Sequence, residues 1–110
     1  MVDHYIVTTA TPDRATAARL AASAVQARLA ATAQVHGPVT SFWWHLGEQG
    51  EGEEWVAIFK TTSVRYVELE SHLVAEHTWD NPEVTAVKIE AASAGYLTWL
   101  EKTTSVDGEG

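Results

Sequence analysis

The chain has no cysteine among its 110 residues. That excludes disulfides, a thiolate nucleophile and the sulfur ligands that select Cu(I). Basic residues are also scarce: 7 Lys and Arg stand against 15 Asp and Glu, a formal charge of −8. No cationic cluster offsets this, so a phosphate backbone would be repelled and nucleic acid is set aside as a partner. The acidic surface is compatible with attracting cations and equally with serving solubility alone. No apolar run approaches a membrane span, and Met1-Val2-Asp3-His4-Tyr5 carries no basic segment. The expectation is a cytoplasmic protein with no membrane partner.

The length suits one domain, expected over residues 1–105, with a disordered tail at 106–110. Tyr5 to Ala10 is β-branched and aromatic and reads as a buried strand. Thr11-Pro12-Asp13 predicts a helix with Thr11 as its cap and Pro12 at its first position. That helix runs to about Ala30, with Arg19, Ser23 and Gln26 on a wet face and Leu20, Val25 and Leu29 on a dry one. Strand formers return from Ala33 to Leu46, interrupted by Gly37-Pro38, where a bulge is expected. Residues 47 to 52 read as a turn, and Trp55 to Phe59 as a central strand. The two strands form a hairpin too long for a domain of this size, so part of it bends or projects. Projecting edges are normally covered by a neighbour, which argues for an oligomer.

Thr62 or Ser63 caps a second helix on which Tyr66, Leu69, Leu73 and His77 share one face. Glu83 to Ile89 alternates as a half-buried strand, and Ser93 caps a short third helix reaching Thr103. The order is βαββαβ plus a C-terminal helix, an α+β, ferredoxin-like arrangement. No fixed-period repeat is visible in the residues.

A set of short matches runs through this frame: Thr8-Thr9-Ala10, Ala27-Arg28-Leu29-Ala30-Ala31, Thr40-Ser41, Gly47, Glu54, Ile58-Phe59-Lys60-Thr61, His77, Pro82-Glu83-Val84 and Tyr96-Leu97-Thr98-Trp99-Leu100. In this order they resemble the CutA divalent-ion tolerance family, whose architecture is related to the PII signalling proteins. The resemblance implies a homotrimer of ferredoxin-like protomers and a role in tolerance of divalent metals such as copper. The chain departs from the family pattern in places. Thr32 stands where the family usually has cysteine, Gln34 where asparagine is common, and Gly37-Pro38 reverses a Pro-Gly. Trp43 and His45 replace a tyrosine and a tryptophan, and His77-Thr78-Trp79-Asp80 replaces His-Pro-Tyr-Glu.

The residues that could carry chemistry gather on the hairpin and in His77-Thr78-Trp79-Asp80-Asn81-Pro82-Glu83-Val84. His77 and Asp80, with Glu83 and with His45 or His36 from the hairpin, offer nitrogen and oxygen donors suited to Cu(II), Ni(II) or Zn(II). No His-x-x-x-His pair fixes two ligands on one element, so a site needs tertiary or intersubunit assembly. The plain alternatives are a helix-ending His77 satisfied by a carbonyl or carboxylate and exposed strand positions for His36 and His45. Trp43 and Trp44 face opposite ways, one expected on the core and the other against a neighbouring subunit. With Trp79 they outline an aromatic cleft between protomers in which Lys60, Glu54 and Glu83 would orient a small metabolite, although indoles are also simply common at interfaces. The Gly-rich stretch after Leu46 is not a phosphate loop, since a strand follows it and its glutamates would repel phosphate. Three readings follow: a metal-tolerance trimer, a PII-like metabolite sensor, or an enzyme with His77 as acid or base.

Overall fold

The computed structural model describes residues 2–106; residues 107–110, most of the expected tail, lie outside the described residues. The elements are β1 (His4–Thr11), α1 (Arg14–Gln26), β2 (Thr32–His45), β3 (Glu48–Thr62), α2 (Tyr66–Glu76), β4 (Thr85–Lys88) and α3 (Ala94–Thr103). The strands form one antiparallel sheet in the order β2-β3-β1-β4. Two βα units interleaved in this way give the expected ferredoxin-like α+β fold. Among the described residues no helix is long and apolar enough to cross a membrane.

Strand parity decides which side is filled. Val7, Ala57 and Phe59 point from the sheet to one face, where they meet Ala17, Leu20, Ala21 and Ala24 of α1 and Leu69 and Leu73 of α2. The alanines let α1 lie close to the strands, and each fully buried Leu or Phe contributes roughly 1.5–3 kcal/mol. On the opposite face His4 donates from Nε2 to Glu101 at 2.8 Å, so α3 lies over that end of the sheet. Elsewhere the face is open, and Val87 remains 66% exposed.

Several boundaries differ from the sequence reading. Asp13, not Thr11, caps α1, accepting from the Thr16 amide at 2.8 Å. Thr11 is instead the last residue of β1, and its hydroxyl bonds the Trp55 carbonyl at 2.8 Å. The helix stops at Gln26 rather than near Ala30 because Arg28 turns to φ 59. There the Arg28 amide bonds Val25 O and the Leu29 amide bonds Ala24 O, the paired bonds of a left-handed helix stop. Val25 therefore lies on the exposed side, while Ser23 is half-buried.

Thr62 and Ser63 do not cap α2. Thr62 ends β3, the Ser63 hydroxyl accepts from the Asp3 amide, and Arg65 occupies the cap position without a side-chain capping bond. Ser93 likewise stands at the start of α3 without a side-chain cap bond. The last strand is shorter than expected, Thr85–Lys88, and exposed rather than half-buried because it forms one edge of the sheet.

The hairpin does project. β1 accompanies β3 only as far as the Thr11–Trp55 pair, so Glu48–Glu54 and Val39–His45 continue as a two-stranded arm. This arm stretches the molecule to 45 × 25 × 21 Å. The pairing is irregular between His36 and Val39, where the Gly37–Pro38 bond is cis, as the bulge expectation required. The turn at the tip is only Leu46-Gly47, with φ 52 and 81, a type I′ geometry. Residues 48 to 52, read as loop, are strand. Their glycines have a packing reason: Trp43 lies flat over the partner strand, where a Cβ on Gly50 would collide with the indole nitrogen and one on Gly52 would approach the ring to 3.2 Å.

Candidate functional site

The inner face of α2 carries Leu69 and Leu73, both fully buried, and one further turn brings His77 to the sheet. At the helix end His77 takes an extended backbone, φ −72 and ψ 153. Its Nε2 lies 2.8 Å from the Ala10 carbonyl of β1, and its Nδ1 accepts from the Trp79 amide at 3.0 Å. A carbonyl only accepts and an amide only donates, so the proton sits on Nε2 and the neutral ring is oriented from both sides. The Trp79 indole leans on this ring, centroids 5.1 Å apart and planes at 33°. Asp80 and Glu83 are exposed, and Glu83 accepts from the Thr85 hydroxyl at 3.1 Å. The stretch that begins at His77 is thus clasped to β1 by the imidazole, the carbonyl-satisfied arrangement.

The arm holds a second group. Trp43 and Trp44 face opposite ways, as alternation requires, but neither packs on the core. Trp43 covers Gly50 and Gly52, and Trp44 is 71% exposed. The physical reason is position: both lie beyond Trp55, where the sheet has only two strands and no helix above it. His45 pairs with Glu48 at the tip.

Within one protomer these groups remain apart. The His77 acceptor Ala10 pairs with Val56, eight residues along β3 from Glu48, a separation on the order of 26 Å. Lys60 lies the other way, opposite Ile6 and Thr32, about 13 Å beyond Val56. His36 shares the Val56 row from the far side. Among the described residues no three His, Asp or Glu side chains gather as a metal-holding group. One protomer therefore brings His77 and Trp79 together, and separately Trp43, Trp44 and His45.

Two features were absent from the sequence reading. Ser23 and His72 meet at 2.8 Å between α1 and α2, where the Ser23 hydroxyl also bonds Leu20 O. No spacing signal could join residues on separate helices. Tyr66, edge-on to Tyr5 at 5.6 Å, bonds Glu70 at 2.7 Å. Burial first, then that bond and the charges of Glu70 and Tyr5, push its hydroxyl up to about 12. Asp13 is held below its usual value by the Thr16 backbone and side-chain bonds.

The family model described as CutA1 divalent ion tolerance protein matches residues 5–103. The chain is similar to Protein CutA 1, chloroplastic, of Oryza sativa subsp. japonica, 33% identical over 104 residues; the match covers 94% of this chain but only 58% of the rice protein. It is 28% identical over 100 residues to the divalent-cation tolerance protein CutA of Archaeoglobus fulgidus, covering 91% of this chain and 97% of that protein. Among solved structures, CutA1 from Oryza sativa superposes with a TM-score of 0.90 at 30% identity, over 94% of this chain and 95% of that one.

Proposed function

Since the chain belongs to the CutA1 divalent ion tolerance family, we propose that it serves in divalent-cation tolerance as a homotrimer, with ions such as Cu(II) held weakly where protomers meet. The match across residues 5–103 carries the tolerance role. The open sheet face, with Val87 66% exposed, supports assembly, because an apolar face of this kind is normally covered. The dispersal of donors supports a shared site: His45 has Glu48 across the strand pair at the arm tip, far along the sheet from the stretch that carries Asp80 and Glu83 in its own protomer.

His45 is the stronger donor candidate. His77 already uses both ring nitrogens, so binding a metal there requires giving up the Ala10 or the Trp79 bond. Exposed carboxylates at Asp80 or Glu83 of a second protomer would complete a nitrogen and oxygen set of the kind Cu(II) accepts.

Sedimentation velocity combined with calorimetric titration of Cu(II) and Zn(II) tests this. The expected result is a trimer whose Cu(II) affinity falls at least tenfold in His45→Ala and changes little in His77→Ala. A monomer at micromolar concentration, or a Cu(II) affinity indifferent to His45, sinks the shared-site reading.

A further inference from the structure

We draw no further inference here: the strongest candidate, the apolar groove between α1 and the edge strand β2 lined by Ala18, Ala21, Val25, Ala33 and Val35, is an unpartnered face beside a sheet edge, and nothing in the structure shows what covers it.

Discussion

At the scale of single residues, His77 shows how a side chain can be legible in direction and illegible in partner. Its place one turn after Leu73 points it inward, and that much follows from helical spacing. Its acceptor is Ala10, separated by most of the chain, so neither the tautomer nor the clasp could be read from local pattern. His77→Ala leaves a strand carbonyl and a turn amide without this partner, and the expected loss is about 1–2 kcal/mol in urea denaturation. Leu73→Ala, which opens a cavity between α2 and the sheet, should cost about 2–5 kcal/mol by the same measurement. Tyr66 gives a pH signature. Its hydroxyl is raised from the usual 10.0 to about 12 in the folded protein, so its contribution is fully present below pH 10. That contribution declines as pH rises from 10 towards about 12. An ultraviolet absorbance titration should show a late tyrosine step near pH 12, and Tyr66→Phe should remove it.

At the scale of elements, the arm is where composition misled most. Glycines and glutamates between Gly47 and Glu54 carry the statistics of a loop, yet they pair in register with Val39–His45. Trp43 explains the difference, because its indole needs the space that side chains at 50 and 52 would fill. Gly50→Val should therefore displace Trp43 and shift its fluorescence to longer wavelength, with the body of the fold unchanged by circular dichroism. The tip holds the opposite error of residue choice. Leu46 is 90% exposed and sits at φ 52, a conformation that costs a branched residue about 1 kcal/mol and that asparagine accepts more readily. Leu46→Asn should stabilise the hairpin by up to about 1 kcal/mol, read as a raised denaturation midpoint. Helix starts were misplaced for a related reason: a hydroxyl near a helix can cap it or serve the strand before it. Thr11 and Thr62 serve strands, and Asp13 takes the cap.

At the scale of the whole molecule, element order was enough to give the fold, because two βα units joined by a hairpin have few ways to form one sheet. The candidate site was less legible. Alternation from Glu83 to Ile89 reads as half-buried, but β4 is exposed in the single protomer; the proposed trimer is what would bury it. The net charge of −8 is unevenly spread. The arm holds glutamates without cations, while Arg28 and Arg65 are joined by the Arg65 bond to the Arg28 carbonyl, and Arg28 reaches the Thr103 carbonyl beside Lys102. With Lys60 these offset Glu68, which pairs with Arg65, and Glu101, which pairs with His4, so the end of the sheet away from the arm tip is closer to neutral than the arm. The protein is consequently an electric dipole along its 45 Å axis as well as an anion. A cation approaching from solution is turned towards the arm before it touches anything, and that steering fades once the screening length falls to about 8 Å at physiological salt. Capture rates measured in dilute buffer should therefore exceed those at physiological ionic strength.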